Sequence, residues 1–378
     1  MLFMLIPISY SQSWNIEWQK LSEDDDQDYF IDILQSIGGS YVVLGSTGMG
    51  VSADACIYRF SESGDNVWFR RFEHPGLDMP QKIIAFDNDD ILILIHSVEN
   101  EKTTTLLKKT DKSGNNLWNK IFEEHYFGND IIPQKDGFII VGSKMVNEAS
   151  QPWMAKMNDS GEMEWEKTYI SPKEGHINFI KQLPNEQFIL GGQVKGAGKN
   201  NCDMLVIRTD QNGIELWSSH LDSPQKKELP KCICCSSDSN FIVVGWTGTC
   251  LNDINSEFPV FDFDLVIKKL SPEGKTLWTK SFDSEGSEGG NAVCQMPDGN
   301  FIVAGTKATS ISGKIGPWLL RINTKGEVLD EIMLNLRYEQ ASKIIPTSDG
   351  GFVVIGPGVF DRMNIRSNGW IVKFSGFK

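Results

Sequence analysis

The stretch "SDGGFVVIG" (Ser348–Gly356) decides the fold, because a near copy, "PDGNFIVAG" (Pro297–Gly305), begins about fifty residues before it. Each copy has a tight turn, four apolar residues and a glycine, which is the pattern of a strand entered from a hairpin. Five similar strands lie earlier in the chain: "SYVVLG", "ILILIH", "GFIIVG", "QFILGG" and "NFIVVG". Seven such strands indicate a repeat array rather than one domain with two related hairpins.

A second motif has the same period and consists of a turn with glycine, three residues and then a tryptophan. Its last position falls at Trp18, Trp68, Trp118, Trp165, Trp217, Trp278 and Asp330, at intervals of 50, 50, 47, 52, 61 and 52 residues. A tryptophan at the edge of a sheet can bury on the order of 150–250 Å² against its neighbour. We therefore interpret the series as packing between repeats, and Asp330 predicts a differently filled contact in the sixth repeat.

Each repeat reads as four strands, but the last one ends after its third strand, "GWIVKFS" (Gly369–Ser375). The chain begins with a strand of the missing type, "NIEWQKLS" (Asn15–Ser22). The two ends complete each other only if the array closes into a ring, which leaves no open-ended stack. We predict an all-β fold: one seven-bladed β-propeller of four-stranded antiparallel blades over residues 14–378, closed by the N-terminal strand pairing with the C-terminal blade.

The composition supports a β-rich protein with a real core and argues against two classes of partner. The 378 residues are 40% hydrophobic and include 35 Gly, 11 Trp and 21 Phe. The formal net charge is −14. Nucleic acids and anionic membranes both need clustered Lys and Arg, so neither is expected as a partner. We expect a monomer without a transmembrane segment.

Residues 1–13, "MLFMLIPISYSQS", are apolar for about nine residues and then small and polar. This is typical of the hydrophobic core and cleavage region of a signal peptide, although the usual leading Lys or Arg is missing. A buried first strand is the alternative. The stretch is too short to cross a bilayer. We expect a secreted, periplasmic or cell-surface protein.

Four stretches resemble a family of exported bacterial and archaeal repeat propellers, which are often described only as cell-surface or lipoprotein-like. They are "IEWQK" (Ile16–Lys20), "LSPEGKTLWTKSF" (Leu270–Phe282), "PWLLRINTKGE" (Pro317–Glu327) and "SDGGFVVIG". The resemblance covers essentially the whole chain and implies the fold rather than a function. The G-x-x-x-W element is also similar to the repeat of pyrroloquinoline-quinone propellers. Those usually have eight blades, so the quinone cofactor does not follow.

The predicted strand order gives the propeller two unlike faces. Turns between first and second and between third and fourth strands are short and uniform, and they lie on one face. Loops between second and third strands, and those between blades, lie on the other face and vary in length. The longest is "TGTCLNDINSEFPVFDFD" (Thr247–Asp264) in blade five. Binding usually resides in variable loops on a rigid scaffold, so we expect any site on this loop-rich face, around the channel mouth.

Carboxylates recur at one position on that face, thirteen residues before the first aromatic residue of the second strand. They are Asp28, Glu228, Glu288 and Glu339. Oxygen ligands around a ring could bind Ca²⁺ or a basic partner. The alternative is that each carboxylate bonds its own inter-blade turn or is simply solvated. The sequence has no calcium-loop motif, and no cofactor is predicted; calcium is the alternative.

Aromatic residues bracket the long loop of blade five: Trp246, Phe258, Phe261 and Phe263, with Asp262 and Asp264 between them. Exposed aromatic rings beside carboxylates suit a peptide or carbohydrate platform. Phe263 could instead begin the third strand and face the core.

Seven cysteines leave at least one unpaired in a monomer. Cys202 and Cys250 fall in loops between the second and third strands of adjacent blades, on the same face, so a disulfide between them is a candidate. "CICC" (Cys232–Cys235) lies on the innermost strand of blade five, and alternation predicts Cys232 and Cys234 on one face with Cys235 on the other.

The sequence contains no nucleophile elbow, P-loop or zinc-protease motif. The leading hypothesis is therefore a non-enzymatic, exported binding or scaffolding propeller that captures a protein, peptide or carbohydrate with its loop-rich face. The alternative is an enzyme of hydrolase, lyase or quinoprotein type at the channel mouth, using Asp28, Glu228, Glu288, His125 or His176. A third hypothesis is an accessory protein of envelope assembly.

Overall fold

The computed structural model describes residues 14–22, 28–48, 50–171, 173–196, 202–221, 226–250, 261–283, 286–309, 314–334, 340–358 and 368–377. These residues form seven four-stranded antiparallel sheets, each in contact with the next through its innermost strand. The seventh sheet contacts the first, so the sheets form a closed ring. The predicted seven-bladed β-propeller is confirmed.

Blades one to six each take four consecutive strands, beginning at the channel. Blade one consists of β2 (Asp28–Gln35), β3 (Tyr41–Thr47), β4 (Asp54–Phe60) and β5 (Asn66–Phe72), with a short 3-10 turn at Gly50–Ser52. Blade two consists of β6 (Leu77–Ala85), β7 (Ile91–Glu99), β8 (Lys102–Thr110) and β9 (Asn116–Ile121). Blade three consists of β10 (Tyr126–Gln134), β11 (Gly137–Val146), β12 (Ala149–Asn158) and β13 (Met163–Thr168).

The next three blades repeat this plan. Blade four consists of β14 (Gly175–Gln182), β15 (Phe188–Lys195), β16 (Cys202–Thr209) and β17 (Glu215–Leu221). Blade five consists of β18 (Lys226–Cys235), β19 (Phe241–Cys250), β20 (Phe261–Leu270) and β21 (Thr276–Phe282). Blade six consists of β22 (Glu288–Gln295), β23 (Phe301–Thr309), β24 (Lys314–Ile322) and β25 (Val328–Met333).

The N-terminal strand closes the ring as predicted. Blade seven consists of β26 (Lys343–Pro346), β27 (Phe352–Gly356), β28 (Trp370–Phe374) and, at its outer edge, β1 (Ile16–Leu21). In the β1–β28 pair, Trp18 lies opposite Lys373 and Gln19 opposite Val372. Within the described residues, no helix is long and apolar enough to span a bilayer.

The glycine that ends the repeated apolar run is explained by a bulge in the strand beside it. In six blades the innermost strand carries one extra residue at this level, as between Gly128 and Asp130; a glycine lies opposite it in five of these blades, and Ile95 in blade two. The bulge pushes a carbonyl oxygen towards the glycine: a Cβ on Gly142 would lie 1.8 Å from Phe127 O. Gly305 in "FIVAG" meets Gly289 O in the same way, at 1.8 Å. At these two positions a larger residue would displace the bulge, so glycine is favoured there.

The repeated tryptophans seal the seams between blades. The Trp118 ring packs on Gly161 in a turn of the next blade, and its Nε1 donates to Asp159 O over 3.2 Å. The same tryptophan-on-glycine contact recurs at Gly64, Gly114, Gly213, Gly274 and Gly326. Their positive φ angles suit a turn that only glycine adopts without strain. The predicted packing role is therefore confirmed.

The sixth seam is filled differently, as Asp330 predicts. The Arg321 guanidinium lies 3.8 Å from the centre of the Phe377 ring. Phe377 in turn meets Trp14 edge-on at 5.1 Å. A cation–π stack near the C-terminus thus replaces the missing tryptophan.

Candidate functional site

The predicted acidic positions lie where expected, at the loop-rich ends of innermost strands, but they are buried. Asp28, Glu228 and Glu288 are each at most 1% exposed. Asp28 accepts a hydrogen bond from Tyr58 Oη at 2.7 Å. Such contacts match the alternative interpretation, in which each carboxylate is satisfied locally. Ligand contact at these residues stays a prediction, and Glu339 lies outside the described residues.

Strand register adds a residue that the sequence spacing missed. Asp78 in blade two lies opposite Ser97, just as Asp28 in blade one lies opposite Thr47. The spacing was counted from an aromatic residue at the start of the second strand, and blade two has Ile91 there. Counting from the bulge would have found Asp78, but the sequence does not mark the bulge in this blade.

Trp246 packs at the seam between blades five and six, towards the channel. Its Nε1 donates to Asn291 Oδ1 over 3.2 Å, and its ring lies against Gly289. Phe263 meets the ring edge-on at 5.7 Å, while Lys231 Nζ lies 5.9 Å from the ring centre. Phe263 is thus both part of the third strand and a partner of Trp246. Phe258 and the side chain of Phe261 lie outside the described residues.

The carboxylates of the long loop's far end do not share a face with these rings. Asp262 and Asp264 alternate with Phe263 along β20, so they point to the opposite face of the blade-five sheet. Lys268 extends from this face to Leu221 O of blade four, at 3.3 Å. The single aromatic and acidic platform expected from the sequence is therefore two patches on either side of the rim of blade five.

The acidic patch lies at the end of a row of residues that crosses three neighbouring strands. Glu228, Thr247 and Asp264 lie directly opposite one another in the register. Glu228 forms a buried ion pair with Lys268, 2.9 Å apart. Asp264 is 6% exposed, and its Oδ1 has no hydrogen-bond partner among the described residues.

Blade one carries the same row of three residues, together with an arginine that neutralises its buried carboxylate. Asp28, Thr47 and Asp54 lie opposite one another, and Asp54 is 5% exposed. Arg71 on the outermost strand donates its Nε–H to Asp54 Oδ2 over 2.7 Å. A buried carboxylate is thus neutralised from the edge of its own blade by a guanidinium.

Blade five lacks this arginine. Arg71 lies opposite Cys56 in blade one, and the matching pair in blade five is Ser281 with Val266. In the described part of the chain, no cation forms an ion pair with Asp264. Burial, and then the negative charges of Asp283 and Asp262, raise the pKa of Asp264 to about 6, against the weaker opposing effect of Lys226.

Two further acids extend this position to the surface. Asp283 follows β21 and is exposed, and Asp262 is half-buried. We call Asp262, Asp264 and Asp283 the blade-five acidic rim. Its buried member, Asp264, has no ion pair among the described residues.

Clefts open on both faces, not on the loop-rich face alone. One of about 540 Å³ lies between blades three and four on the loop-rich face, lined by residues that include Asn147, Lys173 and Glu174. Another of about 800 Å³ lies on the short-turn face between blades two to four, lined by residues that include Gln134 and Gln182. Concavity alone therefore does not single out the loop-rich face.

Among the described residues, His125 and His176 are not brought together with a nucleophile. His125 Nδ1 lies 3.4 Å from Glu123, and its ring lies 4.2 Å from that of Tyr126. His176 is half-buried, and burial lowers its pKa. The contacts of His125 lie within blade three.

A serine, a histidine and an aspartate do meet in blade two, but without triad geometry. Ser97 Oγ lies 3.1 Å and Asp78 Oδ1 3.7 Å from the same ring nitrogen, Nδ1 of His74. A hydrolytic triad needs the hydroxyl and the carboxylate on opposite ring nitrogens. Ser97 is also only 3% exposed. The arrangement is a hydrogen-bond network rather than an acyl-transfer site.

The thiols are separated as alternation predicts. Cys232 and Cys234 pack in the core towards blade six, whereas Cys235 packs towards blade four. Burial raises the pKa of the Cys234 thiol to about 12. Cys202 Sγ lies 3.3 Å from Glu228 O. The side chain of Cys250 lies outside the described residues, so its disulfide with Cys202 stays a prediction.

Among the described residues, no group of three or more His, Cys, Asp and Glu side chains is arranged to hold a metal ion. This includes the blade-five acidic rim. Calcium binding stays a prediction for the loop-rich face.

No protein-family model and no curated protein matches the chain. Among solved structures it is similar to the WD40 domain of Pan2 from Neurospora crassa, with 10% identity, a TM-score of 0.59 and 97% of each chain covered. It is also similar to the polysaccharide lyase Uly1, with 8% identity, a TM-score of 0.58, and 96% of this chain and 100% of that chain covered. The K499G mutant of NanB sialidase from Streptococcus pneumoniae has 11% identity and a TM-score of 0.50, with 98% and 71% covered. These similarities show the fold, which hosts a WD40 domain, a lyase and a sialidase alike.

Proposed function

We propose that this protein is a binding propeller whose loop-rich face captures an arginine-bearing segment of a protein or peptide at the blade-five acidic rim. The observation that carries the proposal is Asp264, a buried carboxylate without the guanidinium that its counterpart Asp54 receives from Arg71. A partner's arginine would take the place of that side chain.

The energetics favour a cation at this position. A buried carboxylate without a partner costs free energy, and neighbouring like charges add to the cost. A guanidinium offers two parallel N–H groups to a carboxylate, so it relieves more of this cost than an ammonium does. The half-buried Asp262 and exposed Asp283 would attract the partner before contact.

The proposal also includes export and an aromatic contact beside the acidic rim. Export to the periplasm or cell surface depends on residues 1–13, which lie outside the described residues. The aromatic pair Trp246 and Phe263, on the other side of the same rim, would offer a flat contact to the chain that carries the arginine. A carbohydrate is the alternative ligand for this pair.

The decisive variant is Ser281→Arg, which supplies the missing arginine from within. We expect it to occupy the Asp264 carboxylate as Arg71 occupies Asp54, and to weaken binding of an arginine-rich hexapeptide at least about tenfold. The matched control is Thr168→Arg, at the same position in blade three, where Gln151 replaces the aspartate. Isothermal titration calorimetry at low ionic strength measures both.

Three results would contradict the proposal: no binding of the peptide by the unmodified protein, unchanged binding by Ser281→Arg, or equal weakening by Thr168→Arg. A second test removes exposed charge. Asp262→Asn with Asp283→Asn should weaken binding, whereas Asp87→Asn with Asp136→Asn, on the short-turn face, should not. Peptide binding should also fall steeply with added salt.

A second candidate function also starts from Asp264. A carboxylic acid with a pKa near 6 beside ionised carboxylates is the pattern of a general acid. In that case Asp264→Asn should abolish hydrolysis or elimination of a substrate bound at the blade-five acidic rim, while peptide binding would persist in part. A screen of chromogenic glycosides and polysaccharides, with this variant as control, tests that alternative.

A further inference from the structure

A cation on the third strand seals the short-turn face in six of the seven blades. Every blade has such a residue opposite its seam tryptophan or, in blade six, opposite Asp330: Arg59, Lys109, Lys156, Arg208, Lys269, Arg321 and Lys373. In five blades it bonds a side chain in the first hairpin turn of its own blade, as Lys373 bonds Asp349 over 2.8 Å. Lys109 instead covers Phe86 in that turn, with its Nζ 4.5 Å from the ring centre.

Lys156 of blade three is the exception. Its ammonium lies 2.9 Å from Glu164 on the outermost strand, and among the described residues it makes no bond to its own hairpin turn. The turn is also shorter. Four residues separate Pro133 from Phe138, which lies opposite it, whereas five separate the equivalent pair in each of the other six blades. In blade three, the cation and the turn that it would meet are therefore apart.

A second seal on this face comes from glutamine at the end of the innermost strand. Gln35 Oε1 accepts a hydrogen bond from Ser348 N in the hairpin turn of the preceding blade, at 3.0 Å. Its Nε2 donates to Gly39 O in the turn of its own blade, at 3.2 Å. Gln295 makes the same pair of contacts between blades five and six. Such a glutamine ties two neighbouring hairpin turns together.

Gln182 holds the equivalent position in blade four, opposite Phe188, but it does not tie the turns together. Its Oε1 accepts a hydrogen bond from the side chain of Gln134, whose Nε2 lies 3.1 Å away. Within the described part of the chain, the Nε2 of Gln182 donates to no group, so it is available to a ligand. Both seals are thus open at the same place, beside the short turn of blade three.

The cleft of about 800 Å³ on the short-turn face opens at this place, and Lys156, Gln134 and Gln182 all line it. Its volume falls within the range of about 300–1,000 Å³ that is typical of sites for small molecules. Other side chains have therefore not filled the space that the missing contacts leave.

The lining of this cleft is rich in side-chain amides from three neighbouring blades. They are Asn88, Gln134, Gln182, Gln211 and Asn212. An amide both donates and accepts hydrogen bonds, and so does a hydroxyl group, whereas an ammonium only donates and a carboxylate only accepts. Of the apolar residues in the lining, Pro133 is exposed, Phe86 is half-buried and Phe188 is buried. The apolar side chains of a peptide would find little surface there.

The charges in the lining disfavour an anionic ligand and hold a cation only weakly. Asp159 pairs with Lys109, and Lys156 pairs with Glu164. The lining then has one further lysine and three further acids: Lys135, Asp87, Asp136 and Glu186. The excess of carboxylates repels an anion. All three acids are exposed, so water and salt screen their attraction for a cation. They can still accept hydrogen bonds from hydroxyl groups.

We propose that this cleft binds a neutral oligosaccharide. The amides of Gln134 and Gln182 would bond the hydroxyl groups, and the exposed ring of Pro133 would contact the apolar face of a sugar. The cleft lies on the opposite face from the blade-five acidic rim and takes an uncharged ligand, so neither proposal depends on the other.

The test starts with an array of neutral and acidic glycans, probed with the labelled full chain. The neutral glycan that binds most tightly is then titrated by calorimetry, with spermidine as a cationic comparison. We expect saturable binding of the neutral glycan. Gln134→Ala with Gln182→Ala should weaken it at least about tenfold, because hydrogen bonds from two amides are lost. Gln19→Ala, at an exposed position on the outer strand of blade seven, is the matched control and should bind like the unmodified protein.

A further variant closes the cleft and keeps both glutamines. It replaces Lys135–Gly137 with the longer Ser348–Gly351 segment of blade seven. Lys156 should then bond the aspartate of the grafted turn, as Lys373 bonds Asp349, and glycan binding should be lost without a fall in melting temperature. The double alanine variant decides the question if the graft does not fold, since Gln182 is exposed.

Three results would overturn the proposal. The first is that no neutral glycan binds, and the second is that acidic glycans or spermidine bind more tightly than any neutral one. The third is that the double alanine variant or the folded graft binds the neutral glycan as tightly as the Gln19→Ala control.

Discussion

Arg71 Nε lies 2.7 Å from Asp54 Oδ2, so the guanidinium neutralises a carboxylate that is buried in blade one. Arg71→Ser should give blade one the serine that blade five has at the equivalent position, Ser281. We expect a loss of about 1–3 kcal/mol in the free energy of unfolding, because Asp54 would remain buried and lose its strongest donor. Urea denaturation measures the change. A loss below about 0.5 kcal/mol would mean that the pair is solvated like an ordinary surface ion pair.

The Lys268–Glu228 pair, with side chains 6% and 1% exposed, gives a second prediction. Lys268→Met should cost about 3–5 kcal/mol, because it leaves a charged Glu228 in the interior. Adding Glu228→Gln should recover much of the loss. The exposed Lys102–Glu124 pair, 2.7 Å apart, is the control, and Lys102→Met should change stability by less than about 1 kcal/mol. Equal costs for the two single variants would contradict the burial argument.

Asp264 predicts a specific pH dependence. Its pKa is about 6 in the folded protein and near 3.8 in the unfolded chain, so the folded state binds the proton more tightly. The stabilisation from its protonated form is complete below about pH 4 and is lost as the pH rises through 6. Asp264→Asn should therefore be more stable than the unmodified protein by about 1–3 kcal/mol at pH 7.5, with little difference at pH 4.

Thermal unfolding across this pH range measures the effect of Asp264→Asn. Asp136→Asn, at an exposed position on the short-turn face, is the control. The prediction fails if the stability difference between Asp264→Asn and the unmodified protein is the same at both pH values.

The glycine opposite the bulge should tolerate no side chain. Gly142→Ala places a Cβ 1.8 Å from Phe127 O, so the bulge or the strand must move, at a cost of about 3 kcal/mol or more. Gly38→Ala in a short turn meets no atom within 4 Å and should change stability by less than about 0.5 kcal/mol. Chemical denaturation of both variants makes the comparison. Similar midpoints would show that the bulge is free to shift.

The fold could be predicted from the sequence because its determinants are local and repeated seven times. The turn, the apolar run and the final glycine recur together, and the missing fourth strand at one end matches the extra strand at the other. The bulge that requires the glycine was not predictable. It is a mismatch of one residue between neighbouring strands, and only the register of Gly128 and Asp130 against β11 reveals it.

The site was predictable only in part, for a physical reason. Counting along the chain located Asp262 at the rim but could not tell that it and Trp246 point to opposite faces. It also left open whether Asp28 and Glu228 are bonded locally or solvated, since burial depends on Tyr58 and Lys268 from other strands. The absence of an arginine partner for Asp264 is evident only when the strand registers of blades one and five align Ser281 with Arg71.

The pairing of β1 with β28 also determines when the molecule can reach its final state. Gln19 and Val372 lie side by side in one sheet, although six complete blades separate them along the chain. Blades one to six can assemble during synthesis from contacts close in sequence, but blade seven must wait until all six of them have been synthesised. Until then the third strand of that blade has an unpaired edge, so the interval before closure is when a nascent chain is most exposed to association with another copy.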